Sequence, residues 1–220
     1  MRVCVYDIEI EKAVLKRGEE VQEGIEYCKG FKDYEGCGVS VVGAMVLEVS
    51  DLSHGLMSGT LPVPRVFFRD NLEKFVELVK ECDTLAGFNS ARFDDRVLAA
   101  NGIVVKTDID LLALAWEAVG LDPDKFYWKT HGGFGLDALA KANGLSGKTG
   151  HGADAPVDWQ RGNYGALVDY CMMDVWLTAM LLVKALSGQR LELPKEIEGW
   201  AYLHLPRSKV VPVSLLPNPF

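Results

Sequence analysis

Residues 2–9 read RVCVYDIE, and residues 167–178 read LVDYCMMDVWLT. In the first stretch, β-branched Val3 and Val5 and aromatic Tyr6 have the composition of a strand, yet Asp7 and Glu9 follow them. In the second, Asp174 stands among Met, Val and Trp on a helical apolar period. A buried carboxylate is costly unless something positive meets it. Two such segments in one chain predict that their acids meet the same cation. Residues i and i+2 of a strand leave one face, so Asp7 and Glu9 point together. Tyr170 and Asp174, four apart on a helix, also share a face.

A third acidic place lies between them, in GFNSARFDDRVL (87–98). There Asp94 or Asp95 follows a strand end at the start of a helix, which is where sites of α/β sheets assemble. Hard oxygen ligands without neighbouring Cys or His suit Mg²⁺ or Mn²⁺ better than zinc. Two such ions about 3.5–4 Å apart can stabilise both the attacking and the leaving oxygen of a phosphoryl displacement.

Outward from these stretches, the pattern predicts strands at 2–8, 39–49, 65–70, 83–89 and 103–109. It predicts helices at 72–82, capped by Asn71, at 92–102, 111–120 and 136–144, and a long one at 164–186. The long helix carries Leu167, Tyr170, Asp174, Leu177 and Leu181 on one stripe. Residues 11–38 read as a surface excursion with a weak helical tendency at 18–28. The stretches 122–135 and 146–156 read as loops, and 187–220 as a Pro-rich C-terminal extension that cannot be a long helix. Consecutive strands followed by alternating helices and strands imply an α/β fold, a mixed central sheet flanked by helices, in one domain over 1–220.

The 220 residues suffice for a sizeable core, and 49% hydrophobic with 25% charged residues is ordinary for a globular chain. No run of eighteen apolar residues occurs, so no membrane span is expected, and the N-terminus lacks the pattern of a signal peptide. Five cysteines without a CxxC fit reduced thiols and a cytoplasmic location. The net charge of −8 argues against gripping long nucleic acid by charge alone. It is compatible with a nuclease, whose metal site itself requires acids.

Taken together, the residues resemble the DEDD superfamily of 3′–5′ exonucleases. YDIEIE (6–11) is similar to its first motif, NSARFD (89–94) to its second and YCMMD (170–174) to its third. The tyrosine marks the DEDDy branch, and GLDALAKANGL (135–145) adds to a likeness with proofreading exonuclease domains of family B DNA polymerases and their stand-alone relatives. The likeness covers nearly all of residues 1–186. It implies a ribonuclease H-like fold, two Mg²⁺ or Mn²⁺ ions, and Asp94 rather than Asp95 as the third acid. It further implies that Asp7 bridges both ions, that Glu9 and Asp174 complete the site of the ion that activates water, and that Asp94 holds the other. Tyr170 would orient the attacking water. Asn89 and Phe93 would contact the terminal nucleotide. The implied substrate is the 3′ end of a single strand, with DNA favoured over RNA, and a replication or repair protein acting in trans is a candidate partner. No polymerase pattern follows residue 186, so proofreading in cis is not expected. An exoribonuclease of the same fold and a non-catalytic nucleic-acid-binding adaptor are the alternatives.

Other features have simpler readings. Asp108 and Asp110 precede an apolar helix and read as caps. His54, His131 and His151 sit in Gly-rich loops and read as mobile. Cys28 and Cys37 lack a second pair and read as free thiols, not half a zinc site. The SGKTG stretch lacks the full GxxxxGK[ST] spacing, and no strand leads into it, which makes a nucleotide-triphosphatase switch a poor reading. Lys125, Lys129, Lys141, Lys148 and Arg161, with Phe126, Tyr127 and Trp128, form either a single-strand track or a solvated face.

Overall fold

The computed structural model describes residues 1–15, 18–51, 56–57, 62–147, 150–197 and 200–203. His54, Lys148 and the last seventeen residues of the Pro-rich extension lie outside them. The expected α/β architecture is the observed one. The strands are β1 (Arg2–Glu9), β2 (Ala13–Val14), β3 (Tyr27–Cys28), β4 (Val41–Asp51), β5 (Leu56–Met57), β6 (Pro64–Phe68), β7 (Thr84–Gly87), β8 (Ile109–Asp110), β9 (Leu191–Ile197) and β10 (Trp200–Leu203). The helices are α1 (Tyr34–Cys37), α2 (Leu72–Lys80), α3 (Asp94–Ala100), α4 (Leu111–Ala118), α5 (Trp128–His131), α6 (Leu136–Ala142), α7 (Ala155–Arg161) and α8 (Tyr164–Leu186).

Among the described residues, six strands form one mixed sheet in the order β5-β4-β1-β7-β8, with β6 also on β4. β1 pairs antiparallel with β4 and parallel with β7, and β7 pairs parallel with β8. This topology is compatible with a ribonuclease H-like fold. The N-terminal strand is therefore a middle strand, and its two faces serve two cores. Cys4, Tyr6 and Ile8 pack with Phe75 of α2 and Val97 of α3. Val3 and Val5 pack with α4, α6 and α8 through Leu111, Leu139, Val175 and Leu181. Period-two alternation produces this split, and on the α8 side it continues past Val5 into Asp7 and Glu9. That side of β1 turns from apolar to acidic at its C-terminal end.

α8 has the length and composition of a bilayer-spanning helix, but half of its most apolar stretch is buried inside the protein. It lies on β1 and β4, and Leu177, Leu181 and Leu182 are fully buried there. Burial of each such leucine contributes about 1.5–3 kcal/mol.

Several sequence expectations need correction, and the short helix α5 within the expected loop at 122–135 is one of them. Residues 11–38 are more than a surface excursion: β2 and β3 form a short parallel ladder, and Ile25, Cys28 and Cys37 are buried. The two thiols lie 3.0 Å apart in the α2/α3-side core, and no helix forms over 18–28. The loop at 146–156 ends early, because Pro156 occupies the first turn of α7, where a missing N–H costs nothing. The extension after 187 opens with the β9–β10 hairpin, which packs on α6 and α4. The strand expected over 103–109 is reduced to Ile109–Asp110. Asn71 does occupy the N-cap of α2, but its side chain makes no capping bond.

Candidate active site

The seven residues singled out from the sequence line one cleft of about 470 Å³: Asp7, Glu9, Asn89, Phe93, Asp94, Tyr170 and Asp174. It opens at the C-terminal ends of the parallel strands, where side chains project beyond the last ladder bonds. Glu9, Asp94 and Asp174 are buried, at 7%, 4% and 6% exposure.

Each acid arrives by a different route. Asp7 and Glu9 sit on the last turns of the β1 pleat. The β1–β7 register covers only Val3 to Val5. Beyond it β7 turns away, and the Asp94 carboxylate replaces the strand by accepting the Ile8 N–H at 3.1 Å. Asp95 is committed elsewhere. It accepts from the Tyr6 hydroxyl and from the backbone and hydroxyl of Thr107 at 2.9 and 3.0 Å. The ambiguity between neighbouring acids thus resolves geometrically, with Asp94 on the cleft and Asp95 in a structural network.

Asp174 and Tyr170 come from α8, which crosses the sheet at Gly43. This glycine is the β4 partner of Asp7. A Cβ there would lie 2.9 Å from the sulfurs of Cys171 and Met172 and 3.2 Å from Val175. Any larger residue would force these side chains, or the helix that carries them, to shift. Close approach also brings the Cys171 thiol to the Asp7 carbonyl, to which it donates at 3.7 Å. Asp7, Glu9 and Cys171 each offer a ligand atom within 4.8 Å of the others.

The turn from β7 into α3 is held by Asp110. Its carboxylate accepts four backbone N–H groups: Asn89 at 2.9 Å and Ala91 at 3.1 Å in the turn, Leu112 at 3.0 Å and Ala113 at 3.3 Å in α4. Asn89 takes φ of +64°, a left-handed conformation that asparagine tolerates better than most residues. Asp110 is a cap as expected. Asp108 is not, and instead accepts the Leu85 N–H at 2.9 Å.

Burial raises the Asp94 carboxyl to about 7, with the charges of Asp110 and Asp95 adding and the Ile8 N–H opposing. Asp110 is also raised, chiefly by burial, against its four N–H donors. The Cys171 thiol is pushed well above its ordinary value by burial and by Asp7 and Glu9. Without a metal, both effects favour the neutral thiol. A donor set of carboxylate oxygens, one of them held near neutrality by burial and like charge, fits a hard divalent cation. Asp7, Glu9, Asp94 and Asp174 are the residues that could hold one.

Some cleft residues escaped sequence reading. Gly43 carried a signal, because a glycine inside a strand marks a close approach. Gly150 and Gly152 flank the Tyr170 ring, and a Cβ at 152 would lie 3.0 Å from its hydroxyl. Ile10 just after β1, and Val14 and Phe31 of the 11–38 segment, line the cleft. Phe31 meets Phe93 edge-on with ring centroids 6.5 Å apart. Nothing in the sequence marked them. Phe93 itself both packs against the α2/α3-side core and lines the cleft.

His131 departs from expectation. It is buried, and its ring nitrogens lie 2.9 Å from the Thr130 hydroxyl and 3.0 Å from the Asp122 carbonyl. The expected basic cluster is partly neutralised, since Lys125 pairs with Asp122 and Lys141 with Asp137.

Fold and cleft together define an α/β protein with an acidic cleft at the ends of its parallel strands. No family model matches the chain, and no curated protein matches it. Among solved structures it is similar to the family B DNA polymerase from the hyperthermophilic archaeon Pyrobaculum calidifontis, at 18% identity and a TM-score of 0.46. The match covers 85% of this chain and 26% of that one, so the chain spans about a quarter of the polymerase's length.

Proposed function

We propose that this protein is a divalent-cation-dependent 3′–5′ exonuclease of the DEDDy type, acting on single-stranded ends and on DNA in preference to RNA. One observation carries the reading. Asp7, Glu9, Asp94 and Asp174 come from three separate parts of the chain and share one cleft with Tyr170. Their order and spacing are those of the three motifs named above.

Bound Mg²⁺ or Mn²⁺ would supply Lewis acidity, neutralising phosphoryl charge and acidifying water. The chain's own residues do the rest. Asp7, Glu9, Asp94 and Asp174 fix where positive charge can sit. Asn89 and the Phe31–Phe93 pair bound the space for a terminal nucleotide, whose base stacks on an aromatic face. Tyr170 holds the attacking water through its hydroxyl.

The test is hydrolysis of end-labelled single-stranded DNA and RNA with Mg²⁺, with Mn²⁺ and with excess EDTA. The expected result is stepwise shortening from the 3′ end, abolished by EDTA and by Asp7→Ala. Full activity in chelator, or none on either polymer with metal, refutes the proposal.

A further inference from the structure

Beside the acidic cleft lies a second pocket of about 440 Å³, which shares Asn89, Leu112 and Gly135 with it. Its walls are aromatic. Trp116 forms the floor, buried at 2% exposure and fixed by donation of its indole N–H to the His131 carbonyl at 3.2 Å. Phe126 leans on that floor, with ring centroids 5.9 Å apart. Trp128, 6.2 Å from Phe126, is 77% exposed. Arg92 also lines it, its guanidinium 5.5 Å from the Trp116 ring and 5.9 Å from Phe126. It is anchored by donation to the Pro123 carbonyl.

This arrangement leaves large apolar rings in water next to a fixed cation. Exposed aromatic patches of that kind mark binding surfaces. The buried histidine makes the rim rigid, because His131 also accepts the Tyr127 N–H at 3.2 Å and so holds the short α5 in place.

We propose that this pocket receives an unpaired nucleobase of the strand whose 3′ end occupies the acidic cleft, upstream of the scissile linkage. The inference rests on the exonuclease reading and adds to it a second point of grip. Three observations commit it to a base. The pocket shares Asn89, Leu112 and Gly135 with the cleft, so it lies within reach of a strand leaving the site. Its rings offer stacking faces that are indifferent to base identity. Arg92, and Lys129 on α5, put positive charge beside the path of the backbone in a chain whose net charge is −8. Stacking, which salt does not screen, would then supply grip that phosphate contacts alone do not provide here.

The experiment compares the wild-type protein with Trp128→Ala and Trp128→Phe on single strands of two, four and eight nucleotides, as DNA and as RNA. KM and kcat are measured with Mg²⁺, and binding of a labelled octamer is measured without metal by fluorescence anisotropy. In the wild type, KM should fall about tenfold between two and four nucleotides, within the range for one stacked base. Trp128→Ala should lose that length advantage, its KM for the longer strands rising about tenfold, and Trp128→Phe should restore most of it. A length dependence identical in wild type and Trp128→Ala overturns the subsite and leaves the patch to a protein partner. If the wild type hydrolyses nothing, the exonuclease reading fails. The anisotropy comparison then still decides the subsite, which stands only if Trp128→Ala weakens octamer binding.

Discussion

Gly43 stands directly opposite Asp7 in the β1–β4 ladder, on the face that α8 crosses. A methyl group at position 43 would meet the Cys171 and Met172 sulfurs at 2.9 Å. The distance between helix and sheet, and with it the seat of Tyr170 and Asp174 over Asp7, is set by a missing side chain. Gly43→Ala should cost about 1–3 kcal/mol in urea unfolding, the usual penalty for overpacking. Hydrolysis should fall more steeply than stability, because the displaced helix carries two site residues. Wild-type stability and activity together would show that α8 has slack at this crossing.

Tyr170→Phe removes one oxygen and keeps the packing volume and all four carboxylates. Turnover should drop by about 10²–10⁴, the range for losing a positioned proton-transfer or water-holding group. KM and metal affinity should barely move. Near-normal kcat would make the hydroxyl incidental.

The ring of Tyr170 is itself positioned by what is absent beside it. At Gly152 an added Cβ would sit 3.0 Å from the hydroxyl. Gly152→Ala should therefore lower kcat by roughly tenfold, since small misplacements of reacting groups carry large rate penalties. The melting temperature should stay within a degree or two of wild type. A large loss of stability would assign this glycine to folding instead.

Without metal, stability should rise as pH falls from about 7 towards 4. Asp94 is held near 7 in the folded protein and returns to about 3.8 when unfolded. Between those values the folded state binds the extra proton, so acidification favours it, and the cost of burying the carboxylate is fully felt above pH 7. Asp110, also raised, contributes in the same direction. Chelated protein should melt at a higher temperature at pH 5.5 than at pH 8, and Asp94→Asn should flatten that slope. A melting temperature rising steadily from pH 5.5 to 8 would contradict the assignment.

Asp110→Ala deletes the acceptor of four backbone N–H groups at once. A loss of about 2–4 kcal/mol is expected from a buried charged acceptor that is also a helix cap. Asp110→Asn should recover part of it. Chemical denaturation of the three proteins is the check.

The acids were legible in the sequence because a carboxylate within an apolar strand or helix is costly wherever it falls. Asp7, Glu9 and Asp174 therefore marked themselves. Gly43 and Asp110 were half legible: one as a glycine inside a strand, the other as a cap whose wider role needs the turn at 89–91 beside it. Phe31 and Val14 were not legible at all. They reach the cleft through a short ladder whose pairing, Ala13 with Tyr27 and Val14 with Cys28, leaves no period in so few residues. The β9–β10 hairpin was hidden by Pro194, which reads as a breaker yet is tolerated where a strand has only one neighbour.

Placing the first strand in the middle of the sheet also fixes when the cleft comes into being. β1 is flanked by β4 and β7, and its acidic end is covered by a helix that begins only at Tyr164. The three stretches that supply the carboxylates are separated by most of the chain's length. Contacts so distant in sequence form late and slowly, because the intervening chain must be ordered before they repay its entropy. A chain still emerging from the ribosome holds Asp7 and Glu9 long before it possesses Asp174. Until residue 174 has been made, the cleft lacks one of its four carboxylates, which arrives with the long helix α8.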